Sequence, residues 1–186
     1  MFKPKQYKYY KFQCAVFFER AEKDEAEAQK ILGDIFRYGL AKGIRKNYRQ
    51  AIVWYQKGSD NGNALATLEL AKTFALSEKN LGAKKDSHKA ITLYKEAYAK
   101  GVSEAKHLLV LEYIKTKDYD TARKLLDECM EKDYSTYLEI TSAKLAFEAQ
   151  DYQRACDEFD HLRAFAESKK YIRILKRKGF KPSNNN

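Results

Sequence analysis

Residues 26–62 read AEAQKILGDIFRYGLAKGIRKNYRQAIVWYQKGSDNG, and the spacing inside this stretch decides the fold. Asn47 stands four positions before Ala51, and the bulky Tyr55 follows four positions later. A carboxamide or carboxylate side chain accepts a hydrogen bond from the free N–H groups of a helix's first turn, so Asn47 marks a helix start. Residues four apart share one helix face, which makes Ala51 and Tyr55 a small-then-large packing seam. The same three-step pattern recurs at Asp86, Ala90 and Tyr94, at Asp118, Ala122 and Leu126, and at Asp151, Ala155 and Phe159. The Ala-to-Ala steps are 39, 32 and 33 residues. Self-similarity on this scale is the mark of an array of stacked units.

A second apolar set recurs upstream of each such helix: Leu32-Gly33 with Phe36, Leu70-Ala71 with Phe74, Leu109-Val110 with Tyr113, and Ala143 with Ala146. The combined pattern is similar to the tetratricopeptide signature, in which each repeat is a helix pair stacked on the next. The first two units resemble a relative of that family, the Sel-one-like repeat, which has a Gly-containing loop between its helices. The first carries the resemblance in Ala26-Glu27-Ala28, Leu32-Gly33, Tyr38-Gly39, Gly43-Ile44, Asn47-Tyr48, Ala51, Trp54-Tyr55, Lys57 and Gly62. The second carries it in Ala64-Leu65-Ala66, Lys89-Ala90, Leu93-Tyr94-Lys95, Ala97 and Gly101. Gly stands at the close-packing position only as Gly33 and Trp only as Trp54, while the third and fourth units have shortened loops like ordinary tetratricopeptide repeats.

The resemblance, over about residues 25 to 165, implies an all-α fold. The expected architecture is a right-handed α-α superhelix, a short solenoid of about four repeats at 25–62, 63–101, 102–133 and 134–166. Residues 1–24 read as an N-terminal capping helix with Tyr7, Tyr10, Cys14, Phe17 and Ala21 at helical spacing. Residues 167–180 read as a basic C-terminal capping helix with Tyr171, Ile174 and Leu175 on one side, and 181–186 as a disordered tail.

Composition agrees with this reading. Only 2 Pro and 8 Gly among 186 residues, with 44% hydrophobic and 33% charged residues, exclude collagen-like, mucin-like and broadly disordered chains. Three widely spaced cysteines, Cys14, Cys129 and Cys156, without a C-x-x-C pair suggest neither a disulfide framework nor a zinc site. No run reaches the roughly 20 apolar residues of a bilayer span, and no leader is recognised at Met1. The expected location is cytoplasmic.

The motifs that carry chemistry are missing from the sequence. No phosphate-cradling Gly-rich loop, nucleophile elbow or zinc helix is present. His88, His107 and His161 fall in three different repeats. The cluster Asp157, Glu158, Asp160 and His161 reads as a solvated helix face with an ordinary i,i+4 pair, and Cys129 and Cys156 read as small buried hydrophobes. No catalytic residue, cofactor or metal is therefore expected. Phe36, Tyr55, Phe74, Tyr94, Tyr113 and Phe159 fall on the seam, whereas Tyr9, Tyr38, Tyr134 and Tyr137 are less clearly internal and are candidates for a contact surface.

The net charge of +10 is concentrated at the ends. Residues 1–20 hold five basic and one acidic residue, and residues 169–186 hold seven basic and none acidic, so the repeat body is close to neutral. In tetratricopeptide-like proteins the first helices of successive repeats line a concave face. Carried over position by position, that face takes Asp34, Arg37 and Tyr38, then Lys72 and Leu76, Lys115, and Lys144 and Glu148. One turn earlier it takes Lys30, Leu68, His107 and Ile140. The residues assigned to partner binding are Lys30, Asp34, Arg37, Tyr38, Lys72, His107 and Lys144. The groove reads as mixed and mildly basic, suited to a protein or peptide of some acidic character.

The function implied is that of a non-catalytic adaptor or scaffold. A bacterial immunity or antitoxin protein that neutralises a cognate toxin is an alternative. Another is binding of nucleic acid or an anionic membrane through the basic ends, above all Lys169, Lys170, Arg173, Lys176 and Arg177. The same helix also reads simply as a cap over the last repeat's apolar face.

Overall fold

The computed structural model describes residues 15–40, 44–76, 85–132, 136–162 and 164–183. Among them run ten helices and no strand. In chain order these are α1 (Ala15–Glu22), α2 (Ala26–Tyr38), α3 (Tyr48–Asp60), α4 (Ala64–Ala75), α5 (Ser87–Ala99), α6 (Glu104–Thr116), α7 (Tyr119–Lys132), α8 (Thr136–Glu148), α9 (Tyr152–His161) and α10 (Ala166–Arg177). The chain forms two compact units, Met1–Ala105 and Lys106–Asn186. No helix among the described residues is long and apolar enough to cross a membrane.

Every helix start marked by the spacing carries its cap. Asn47, Asp86, Asp118 and Asp151 accept from the backbone N–H groups of Gln50, Lys89, Thr121 and Arg154 at 3.2, 3.0, 3.2 and 3.3 Å. The same four residues also close each helix pair from the other side. Their own N–H groups donate to the carbonyls of Phe36, Phe74, Tyr113 and Ala146 at 2.7, 2.9, 3.0 and 2.9 Å. These acceptors occupy one register position, three residues after Gly33, Ala71, Val110 and Ala143. The hairpin closure is therefore the same whether the loop is long, as after α2 and α4, or short, as after α6 and α8. The short loops reach it by placing Lys117 (φ 65°) and Gln150 (φ 64°) in the left-handed region directly before the cap, a conformation that L side chains adopt at some cost.

The seam packs as its spacing requires. Ala51, Ala90, Ala122 and Ala155 are fully buried, and so are or nearly are Tyr55, Tyr94, Leu126 and Phe159. In the first pair the approach is so close that a Cβ on Gly33 would lie 2.3 Å from Tyr55 ring carbons. A second close approach, absent from the sequence reading, is at Gly58, where a Cβ would lie 2.9 Å from the Ala66 Cβ and 3.2 Å from the Ala26 carbonyl oxygen. That contact lets α3 sit against the starts of both α2 and α4.

Buried polar groups link neighbouring pairs. Gln29, fully buried, donates to the Ala21 carbonyl at 3.0 Å and accepts from Asn61 at 2.8 Å, joining α1, α2 and the end of α3. In the next repeat Thr67 holds the corresponding place: its hydroxyl accepts from Lys100 at 3.2 Å and shares a hydrogen bond with the Ser59 hydroxyl at 2.7 Å. On α1 the buried residues are Phe18 and Ala21, with Phe18 edge-on to Phe36 and Trp54. Phe17 is only half-buried, so the apolar face expected there is turned by one residue. Tyr7, Tyr10 and Cys14 lie outside the described residues.

In the second unit a core of Ile140, Ala143, Ala146, Ala155, Cys156, Phe159, Leu162 and Leu175 joins α8, α9 and α10. Residues 181–183, expected to begin a disordered tail, instead lie along α9. The Ser183 N–H donates to Asp157 at 2.6 Å, and Gln153 donates to the Lys181 carbonyl at 3.0 Å. Polar composition had suggested a free end, but Asp157 and Gln153 offer this backbone the partners it needs.

Candidate functional site

In the first unit the structure brings together the five residues assigned to partner binding on α2 and α4, Lys30, Asp34, Arg37, Tyr38 and Lys72. Lys30 Nζ lies 2.8 Å from Asp34 Oδ2, one turn away on α2. The other Asp34 oxygen accepts from the Tyr55 hydroxyl at 2.7 Å, anchoring this face to α3. Arg37 pairs with Glu69 Oε2 on α4, and Glu69 Oε1 accepts from Lys72 at 3.0 Å. Lys72 also reaches Glu104, at the start of α6, at 2.9 Å. The Tyr38 hydroxyl is 3.4 Å from Glu69 Oε2, and the Arg37 guanidinium lies 5.0 Å from the Tyr38 ring centroid.

This ladder contains three cations and three carboxylates, and every cation has a partner. The mildly basic groove read from the sequence is therefore electrostatically balanced here. Arg37, assigned as an open contact, is buried. The reason is tertiary: α4 presents Glu69 one turn before the Lys72 position, and the two helices pack closely enough for it to capture the guanidinium. Glu69 itself escaped the sequence reading, and its one local signal is the i,i+3 spacing to Lys72. Leu68 and Ile140, also placed on the concave face, are core residues at 2% and 8% exposure.

The pKa directions follow this geometry. Burial disfavours the charges on Arg37 and Lys72, but Glu69, joined at Lys72 by Glu104, outweighs it and holds both above their ordinary values. Lys30 is likewise raised, burial being overcome by Asp34. Burial, reinforced by the hydrogen bond to Asp34, pushes the Tyr55 phenol far above its usual range, so Tyr55 remains a donor. Tyr38 is raised, chiefly by burial, yet 46% of its surface stays exposed beside the ladder, and Leu40 is 66% exposed two residues on.

In the second unit the His107 and Tyr137 ring centroids are 4.2 Å apart in edge-on packing, and His107 Nε2 is 3.4 Å from Thr141 Oγ1. Lys144 Nζ pairs with Glu167 of α10 at 2.5 Å, and Lys115 with Glu112 at 2.8 Å. Of the four tyrosines proposed as surface contacts, Tyr38 and Tyr137 are exposed; Tyr9 and Tyr134 lie outside the described residues. A cleft of about 490 Å³ between α7, α8 and α9, lined by Asp127, Glu139, Ser142, Arg154 and Glu158 among others, had no signal in the sequence. Its charges are mixed, with Arg154 bonded to Glu158 at 2.6 Å. Among the described residues no three His, Cys, Asp or Glu side chains gather to hold a metal ion.

The basic helix α10 is capped inward and charged outward. Ser168 and Leu175 are buried, and Tyr171 stacks on Phe159 at 4.8 Å with the rings 8° from parallel. Lys169, Lys170, Arg173, Lys176 and Arg177 are all exposed. The apolar side of this amphipathic helix is thus already spent on the core of its own unit.

Residues 26–63 and 64–102 each match the Sel1 repeat. The crystal structure of c5321, described as a protective antigen present in uropathogenic Escherichia coli strains displaying an SLR fold, is 18% identical with a TM-score of 0.52. The match covers 89% of this chain and 44% of that one. A Sel1 repeat protein from Oxalobacter formigenes is 19% identical with a TM-score of 0.55, over 88% of this chain and 63% of that one. This chain therefore spans less than two thirds of either structure, and at these identities the likeness concerns the fold. No curated protein matches the chain.

Proposed function

We propose, from the premise that residues 26–63 and 64–102 are two Sel1 repeats, that this protein binds a protein partner on the face formed by α2 and α4. Sel1 repeats generally mediate protein–protein interaction. The observation that carries the reading is the ladder Lys30–Asp34, Arg37–Glu69–Lys72–Glu104 with Tyr38 exposed at its edge. Polar groups held in place before binding lose little freedom on association, and an exposed Tyr supplies contact area plus a hydroxyl. Because the cations are already neutralised by carboxylates, the partner that fits is a hydrogen-bonding surface with an apolar anchor for Tyr38 and Leu40. A strongly acidic segment would first have to displace Glu69 or Glu104.

The test uses a partner recovered with the wild-type chain from its native host and then purified. Tyr38→Ala combined with Leu40→Ala should weaken its binding at least about tenfold, a typical loss for a central aromatic contact. Val53→Ser, on the exposed side of α3, should leave affinity unchanged. Full affinity in the Tyr38/Leu40 variant together with loss in the Val53 variant would place the contact elsewhere and remove this reading.

A further inference from the structure

The outer face of α10 has no role in the reading above, and its charge calls for an account. At 3.6 residues per turn, Lys169, Lys170, Arg173, Lys176 and Arg177 fall within an arc of about 120° and along about 12 Å of axis. That arc lies opposite Ser168, Tyr171 and Leu175, which face the unit's core. All five cations are exposed, and none has an ion pair among the described residues. Residues 169–186 contain no acidic residue, and Lys178 and Lys181 extend the charge beyond the helix.

Three kinds of polyanion carry complementary charge, and the structure separates them. Stable attachment to an anionic membrane by an amphipathic helix requires its apolar side to enter the lipid, and here Leu175 is fully buried and Tyr171 is stacked on Phe159. A protein interface requires an apolar or aromatic centre that excludes water. Among residues 164–183 the one exposed large apolar side chain is Phe165, at the N-cap and outside the arc of cations. What remains is a rigid, purely cationic stripe, which matches a partner recognised through regularly spaced charges alone. We propose that the outer face of α10 docks the phosphate backbone of a nucleic acid. The binding is independent of base sequence, because the cations are engaged with phosphates and the stripe carries no exposed aromatic side chain on which a base could stack.

The full-length chain is titrated into a labelled 20-base-pair DNA duplex by fluorescence anisotropy at several salt concentrations. If all five cations neutralise phosphates, the salt slope is about −4.5, and affinity falls about 500-fold between 50 and 200 mM salt. Replacing Lys169, Lys170, Arg173, Lys176 and Arg177 together by Gln should weaken binding by at least about a hundredfold at 50 mM salt and flatten the slope. Since these side chains are exposed, circular dichroism should show unchanged helicity. A matched variant with Arg45, Lys46, Lys57, Lys85 and Lys89 replaced by Gln should retain both affinity and slope. Binding that is absent, insensitive to salt, or equally reduced in the matched variant would overturn the proposal. So would equal or tighter binding to vesicles of 3:1 phosphatidylcholine and phosphatidylserine, or to poly-glutamate, at the same anion concentration.

Discussion

Gly33→Ala is the most informative single substitution, because two opposing effects of known size meet at that site. An exposed helix interior gains about 1 kcal/mol when Gly becomes Ala. Here the added methyl would lie 2.3 Å from two ring carbons of Tyr55, a fully buried side chain with no space to retreat into. Overpacking of this kind costs about 1–3 kcal/mol. Displacing the ring also breaks the 2.7 Å bond from the Tyr55 hydroxyl to Asp34, for a further cost of about 1.5–3 kcal/mol because the acceptor is a carboxylate. The net expectation is a destabilisation of about 1.5–5 kcal/mol, read by urea unfolding followed at 222 nm. Ala71 and Ala143 occupy the same register position in other repeats, so a Cβ is not forbidden there in general. The penalty belongs to the Gly33–Tyr55 pair. It should fall by at least about 1 kcal/mol when measured in a Tyr55→Leu background, whose shorter side chain leaves room for the methyl. A Gly33→Ala chain as stable as wild type, or an equal penalty in both backgrounds, would refute the packing argument.

Two further outcomes follow from the site. Glu69→Gln leaves the Arg37 guanidinium buried without its counter-charge and should cost about 3–5 kcal/mol, whereas Arg37→Met leaves Glu69 still paired with Lys72 and should cost about 1–2 kcal/mol; the reverse order in thermal or urea unfolding would contradict the ladder. The Ser183 N–H, helped by the Ser183 hydroxyl and Gln153 against a small burial effect, holds the Asp157 carboxyl below its ordinary value. A lowered pKa means the contact is at full strength above about pH 3.9 and is lost as pH falls through the lower value. The Ser183 amide resonance should therefore titrate with a midpoint below about 3.9 and stop titrating in Asp157→Asn, and a midpoint at or above 3.9 would show that residues 181–183 are not held there.

The repeat architecture was legible because its determinants are local. An Asx residue, a small residue four on and a large one four further specify where a helix starts and which side it buries, whatever lies elsewhere in the chain. The α10 stripe was legible for the same reason, since its cations and apolar residues alternate within three turns. Gly33 was visible as a departure at a close-packing position, and Tyr55 as the large member of the seam, but their mutual contact was not.

What the amino-acid sequence determined by itself was therefore the inventory of helices, the seam residues that four of them bury and the charge at the end of the chain. Tertiary structure decided which polar residues on the outward sides are available to a partner. Arg37 and Lys72 look alike in sequence as exposed cations, and 32 residues separate Arg37 from the Glu69 that claims it. Whether such a pair forms depends on the approach of two helices, set by the packing of Gly58 against Ala66 and of Gly33 beneath Tyr55. The charge balance of a surface emerges at distances of a few ångströms between segments far apart in the chain, beyond the reach of any local spacing rule.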